Sequence, residues 1–156
     1  MPDDTIVRDD TVWLAEITRA VADAPDNIAA MTASVALLKA RVAHYTWVGI
    51  YLLEGDELVL GPYLGKPSPH TRIPVGQGIC GAAASEQATI IVDDVTSDAR
   101  YLACSIETRS EIVVPIMDGT RVLGELDIDS DQPAAFGDAD RRLLEAVAGA
   151  LAPRLT

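Results

Sequence analysis

The chain has 156 residues, 49% of them hydrophobic and 23% charged, a composition that supports a buried core and excludes intrinsic disorder. Twenty-four acidic side chains oppose 12 basic ones for a net charge of −12. Such a surface repels nucleic-acid phosphates and anionic lipid, so neither is an expected partner. No apolar run approaches the roughly 20 residues of a membrane span. The acidic start, Met1-Pro2-Asp3-Asp4, lacks the basic-then-apolar order of a secretory leader, and the expected compartment is the cytoplasm.

The first 40 or so residues read as two helices. Val12, Leu14, Ile17, Ala20 and Val21 recur at helical spacing, and Pro25-Asp26 interrupts them. Asp26 is placed to cap a second helix whose inner face carries Ile28, Met31, Val35, Leu38 and Val42. Residues 45–53 (YTWVGIYLL) are β-branched and aromatic. Glu54-Gly55-Asp56 makes a turn, and residues 57–60 return as the second arm of a hairpin. The Gly- and Pro-rich segment 61–78 is read as loop with a short extended piece at 71–73. A short Ala-rich helix over 79–85 and a short strand over 89–92 follow.

A second long loop, 93–109, contains Cys104. A hairpin then pairs 112–117 with 121–128 about Asp118-Gly119, and an amphipathic helix spans 138–151, turning Leu143, Leu144, Val147 and Leu151 inward and ending before Pro153. Hairpins dominate, so the expected architecture is α+β: a mostly antiparallel central sheet with the N- and C-terminal helices packed on one face. The two long loops are expected to meet over the other face.

Two cysteines in a reducing compartment are not a disulfide framework, and by themselves Cys80 and Cys104 read as small buried hydrophobes. Their surroundings carry more information. Cys104 lies in a polar loop within a few residues of Arg100 and Arg109, where a thiol is accessible. Cys80 follows Gly76-Gln77-Gly78 at a helix start, where backbone N–H groups are expected to lower its pKa. Glu111 opens an otherwise apolar strand, and Asp127 and Asp129 alternate along the next, so the two aspartates share a face. Three acids on paired strands repel unless one is protonated or a cation joins them, and such crowding raises a carboxyl pKa; a solvated strand edge is the alternative. Trp47 and Tyr51, four residues apart, also share a face, as a methyl-binding box or as plain core. Neither His44 nor His70 has a second ligand at metal-binding spacing, so no metal is expected.

Taken together, Trp47-Val48-Gly49-Ile50-Tyr51-Leu52, Leu60-Gly61-Pro62-Tyr63, the run from Arg72 to Gly81 containing Gly78-Ile79-Cys80-Gly81, Ala103-Cys104, Ser110-Glu111-Ile112-Val113-Val114-Pro115-Ile116 and Gly124-Glu125-Leu126-Asp127-Ile128-Asp129-Ser130 resemble the GAF-fold free methionine-R-sulfoxide reductases. The resemblance implies one GAF domain over residues 1–156, with helices over 1–42 and the sheet, active-site loops and last helix over 43–156. It also implies an enzyme that reduces free L-methionine-(R)-S-oxide without a bound cofactor.

Cys104 matches the family's nucleophile. By the same resemblance Glu111 and Asp129 handle the sulfoxide oxygen, Asp127 the substrate ammonium, and Trp47 and Tyr51 the methyl group. The family often carries a further cysteine ten residues before the Gly-x-Cys-Gly cysteine, and that position here is His70, read as a proton shuttle or a plain loop residue. Cys80 is then the partner left within the chain to close a disulfide on the oxidised nucleophile, reopened by a dithiol such as thioredoxin. The competing reading is a non-catalytic GAF sensor of a small molecule, which a chain ending at Thr156 without an output domain disfavours. A third reading is a structural dimerisation module built on the terminal helices, and a homodimer is compatible with the enzyme reading.

Overall fold

The computed structural model describes residues 8–102 and 107–156. Two helices come first, α1 (Asp10–Asp23) and α2 (Asn27–Arg41), each opened by an aspartate. Asp9 accepts from the Val12 N–H and Asp26 from the Ala29 N–H, satisfying amides that have no partner inside their own helices. Ile17, Val21, Met31, Val35 and Leu38 are buried as their spacing requires, whereas Val12 and Ile28, expected inside, are 56% and 68% exposed. Both lie in the first turn of their helices, where the inward stripe has not yet met a neighbour.

The strands are β1 (Trp47–Glu54), β2 (Glu57–Leu64), β3 (Arg72–Pro74), β4 (Ile90–Val92), β5 (Ser110–Asp118) and β6 (Arg121–Ser130). They form one sheet in the order β3-β2-β1-β6-β5-β4, with every pair antiparallel. The sheet is longer than its apolar runs. β2 continues through Pro62 to Leu64, and β5 begins at Ser110, because pairing with β1 and β6 supplies the ladder whatever the residue's own preference. A short 3₁₀ turn, Val95–Ser97, interrupts the loop after β4.

Period-two alternation divides the sheet's side chains into two sets. Val48, Ile50, Ile112, Val114, Ile116, Leu126 and Ile128 join the apolar faces of α1, α2 and the last helix, α4 (Asp138–Leu155). Trp47, Tyr51, Leu58 and Val113 face the other way, against α3 (Gly78–Glu86), which the sequence placed within a residue at either end. The terminal helices thus share one face, and the opposite face is left to α3 and the loops. Among the described residues no helix is long and apolar enough to cross a membrane.

α4 does not stop before Pro153 but runs through it to Leu155. Proline withholds one N–H, yet tertiary contacts hold the final turn: Leu151 and Ala152 are buried in the core, and Arg154 donates to the Ala24 carbonyl at 2.8 Å. At its other end α4 carries Asp140, a buried carboxylate that gathers distant parts of the chain. Asp140 accepts from Tyr45 Oη at 2.7 Å, from Arg8 Nη1 at 2.6 Å and from the Gly137 N–H at 3.0 Å, with His44 Nε2 at 3.3 Å. These donors hold its carboxyl well below the ordinary range despite the burial that opposes them. Asp140→Ala would strand the Tyr45 hydroxyl and leave Arg8 paired with Asp10 alone, and we expect a loss of about 2–3 kcal/mol in urea unfolding, with secondary structure retained.

Candidate active site

The site is built where β1, β6 and β5 run side by side. In β6, Glu125, Asp127 and Asp129 alternate and therefore point together to the α3 side. Across the ladders Asp129 sits between Trp47 and Glu111, Asp127 between Gly49 and Val113, and Glu125 between Tyr51 and Pro115. The three acids named from the sequence are thus neighbours, and the two aromatics stand beside them on the same face. All are buried: Glu111, Asp127 and Asp129 are at most 4% exposed, which dismisses the solvated-edge alternative.

Trp47 is held in place by its surroundings. Its ring stacks on Tyr63 at 5.5 Å, and its indole N–H donates to the Lys66 carbonyl at 2.9 Å. Gly49 makes room for it, since a Cβ there would lie 2.3 Å from the ring. Tyr51 donates to the His70 carbonyl at 2.8 Å, tying the loop before β3 to the sheet.

Cys80, in the first turn of α3, comes down onto the acids. Its Sγ and one oxygen each of Glu111 and Asp127 lie within 4.8 Å of one another. The last glycine of Gly78-Ile79-Cys80-Gly81 permits this seating, because a Cβ on Gly81 would meet the Pro74 carbonyl at 2.7 Å. A cation could span three such donors only after stripping their protons, and the burial of this site keeps protons on.

The electrostatics follow from taking acids out of water. Burial pushes Glu111 and Asp129 well above the usual carboxyl range, and the charge on Asp127 pushes them further. Asp127 is raised by burial too, but hydrogen bonds from Glu111 and Cys80 oppose the rise, so it is the acid best able to stay ionised. Among the described residues, Asp127 Oδ1 and Asp129 Oδ1 are buried acceptors with no hydrogen-bond partner, the arrangement expected of groups that await a donor from a ligand.

One expectation is reversed. The helix start does not lower the Cys80 pKa; burial raises it well above the ordinary thiol value, and the charges of Asp127, Glu125, Glu111 and Asp129 raise it further. A few aligned amides cannot offset complete desolvation beside four acids. Arg100 does not offer a free cation to the site either: it is engaged by Asp98 at 2.7 Å, with Glu86 at 3.8 Å. Cys104, the expected nucleophile, lies outside the described residues.

Two hollows flank the acid row. One, of about 60 Å³, is lined by Trp47, Asp129, Thr46, Lys66, Glu107 and Thr108 among others. The other, about 20 Å³, is lined by Cys80, Glu111, Asp127, Tyr51, His70 and Leu102 among others, so both long loops reach it as expected. Sequence reasoning missed Glu125, which is 0% exposed beside Asp127. The signal was present, since the alternation through Asp129 and Asp127 extends back to it. The Lys66–Glu107 ion pair at the rim of the larger hollow had no such signal, because it joins residues from two loops.

With this geometry in hand, comparison with known proteins is decisive. The GAF domain model matches residues 26–155. The free methionine-R-sulfoxide reductase of Escherichia coli is 40% identical over 115 residues, covering 74% of this chain and 69% of that protein. The chain belongs to this GAF-domain reductase family. Among solved structures, the free methionine-R-sulfoxide reductase of Neisseria meningitidis in complex with its substrate superposes with a TM-score of 0.89 at 37% identity, covering 97% of this chain and 92% of that one. The type II free methionine-R-sulfoxide reductase of Thermoplasma acidophilum superposes at 0.81 with 38% identity, covering 83% and 92%. The GAF fold read from the motifs is therefore correct.

Buried carboxyls of raised pKa make stability pH-dependent. A group whose folded pKa lies above its unfolded value stabilises the fold fully below the unfolded pKa, about 4 for these acids, and that stability is lost as pH rises through the folded value. Asp140, lowered, acts in the opposite sense, but its window closes by about pH 4. The melting temperature is therefore expected to fall as pH rises above about 5, and Glu125→Gln to flatten the fall; a wild-type melting temperature that rises with pH there would contradict the assignment.

Proposed function

We propose that this chain reduces free L-methionine-(R)-S-oxide to methionine, with Cys104 as the nucleophile and residues 1–156 acting as one GAF domain in the cytoplasm. The observation that carries this reading is the row of buried carboxyls, with acceptor oxygens unpaired, beside Cys80 and the Trp47–Tyr51 face, in a member of this reductase family. A sulfoxide sulfur becomes electrophilic when its oxygen is protonated, so the reaction needs an acid at the oxygen, a thiolate at the sulfur and an apolar seat for the methyl group.

Glu111 and Asp129 supply the acid. They face each other across β5 and β6, and burial together with the Asp127 charge raises the pKa of both and favours their protonated forms. Asp127, the acid most easily ionised, receives the α-ammonium. Trp47 and Tyr51 receive the methyl end, where sulfur–aromatic contact contributes about 0.3–1.5 kcal/mol. The Cys104 sulfur attacks the sulfoxide sulfur while the Glu111–Asp129 pair protonates the oxygen. Methionine leaves, and the oxygen remains on Cys104 as a sulfenic acid.

Cys80 then displaces that hydroxyl to form a Cys80–Cys104 disulfide, which thioredoxin or a similar dithiol reopens. With His70 at the position where the family often carries another cysteine, Cys80 is the remaining thiol of the chain for this step.

Cys104→Ser is expected to abolish methionine formation even in a single turnover. Cys80→Ser is expected to give one methionine per chain and then stop under thioredoxin. Reduced wild-type protein should lose two thiols per chain on adding free R-sulfoxide and none with the S-epimer. Methionine from Cys104→Ser protein at the wild-type yield would remove Cys104 as the nucleophile, and no thiol loss in wild type would remove the proposal in favour of a non-catalytic binding domain.

A further inference from the structure

Cys80 of α3, Glu111 of β5 and Asp127 of β6 bring one sulfur and two carboxyl oxygens within 4.8 Å of one another. No spacing in the sequence joins these donors; the register of β5 on β6 and the seating of α3 do. Each of the three is at most 5% exposed. They share the wall of the hollow of about 20 Å³, which is room for one water-sized occupant. Among the described residues no arginine or lysine lines it.

A second observation points to a positive occupant. Asp127 is 2% exposed on the wall of that hollow, and among the described residues its Oδ1 meets no hydrogen-bond partner. Glu125, next along the same face of β6, is 0% exposed with neither oxygen partnered among the described residues. Unmet buried acceptors with no protein cation beside them suit a positively charged ligand.

The donor set selects the ion. One sulfur and two carboxylate oxygens, with a fourth position for water, match tetrahedral zinc, whose bonds of about 2.3 Å to sulfur and 2.0–2.2 Å to oxygen draw donors to about 3.5 Å apart. Side-chain rotation closes that difference. Calcium needs six to eight oxygens, and magnesium retains several of its waters; this hollow has space for neither. The Cys80 proton discriminates further. Burial holds it on the sulfur, and an ion that coordinates the thiol removes it outright, whereas magnesium and calcium favour oxygen over thiolate.

We propose that Cys80, Glu111 and Asp127 form a binding site for a thiophilic divalent cation of the zinc class, which inhibits the enzyme by occupying the pocket. As the ion binds, the Cys80 thiol proton and any proton on the two carboxyls leave to solvent. The sulfur donates its electron pair to the metal, and nothing is oxidised or reduced. The ion takes the Asp127 oxygen that would receive the substrate ammonium and covers the Cys80 sulfur. Competition with substrate rests on the proposed role of Asp127; the ion site itself does not.

The test titrates Cd²⁺, then Zn²⁺, into the full-length Cys104→Ser chain, whose remaining thiol is Cys80, under a thiol-free reductant. Cd²⁺ should bind at one ion per chain with a thiolate-to-metal absorption band, and Zn²⁺ should displace it and remove the band. On that background Asp127→Asn and Glu111→Gln should each weaken binding at least tenfold. Asp94→Asn, in the surface group of Asp93, Asp94 and Asp98, should leave it unchanged, and Ca²⁺ or Mg²⁺ in large excess should not compete. Circular dichroism melts verify that each metal-free variant is folded, and Zn²⁺ should raise the melting temperature of the parent more than that of either carboxyl variant. Absence of the band in the Cys104→Ser chain would overturn the site, as would carboxyl variants that bind as tightly as the parent or an equal loss in Asp94→Asn. In a separate arm, saturating free R-sulfoxide should weaken Cd²⁺ binding to the Cys104→Ser chain at least tenfold. Ion binding that sulfoxide leaves unaltered would overturn the competition. Failure of metal-free wild-type protein to form methionine counts against the proposed substrate instead, and the band still decides the ion site.

Discussion

Five ionisable side chains, Cys80, Glu111, Glu125, Asp127 and Asp129, are buried together, and among the described residues no arginine or lysine figures among the leading influences that lower their pKa. Water would normally carry their charge, and here it is excluded. The cluster can exist only if protons neutralise most of its members or a cationic ligand neutralises one. The roles proposed above for the site descend from this condition: acids whose protonated forms are favoured, one carboxylate to meet an ammonium, and a cysteine that rests as a thiol.

A domain of this size tolerates such a cluster because the opposite face of the sheet is devoted to stability. The apolar residues of β1, β5 and β6 that point away from the site pack against α1, α2 and α4 in one continuous core, and Asp140 ties the α4 start to Arg8 and Tyr45. The two faces are made from the same strands, one residue out of phase. A one-residue slip in β6 would exchange Leu126 and Ile128 for Asp127 and Asp129, turning the acids into the apolar core. The register is therefore held by both faces at once. Reactivity on one side and rigidity on the other are consequences of a single alternation.

Much of this was readable in the residues. The capping Asp26, the two hairpins, the short helix carrying Cys80 and the partnership of Glu111 with Asp127 and Asp129 all follow from local rules, since caps, turns and period-two faces depend on neighbours in sequence. Glu125 obeyed the same alternation and could have been counted with them. The exposed Val12 and Ile28, the helix that runs through Pro153 and the extra strand residues 61–64 did not follow. In each case a contact with a distant segment, or the lack of one, overrode the local preference.

The sequence by itself determined the family, the α+β class, the antiparallel pairing and which side chains share a face, because those depend on motif and periodicity. Only the tertiary structure decided how deeply the acids are buried, that Glu125 completes their row, and that the Cys80 thiol is raised rather than lowered. A pKa reports the solvent and charge around a group, and for Cys80 those are set by β5 and β6, strands that lie 30 to 50 residues further along the chain. A helix start visible in the sequence therefore pointed the wrong way, and the desolvation that outweighs it appears only when α3 is laid on the sheet.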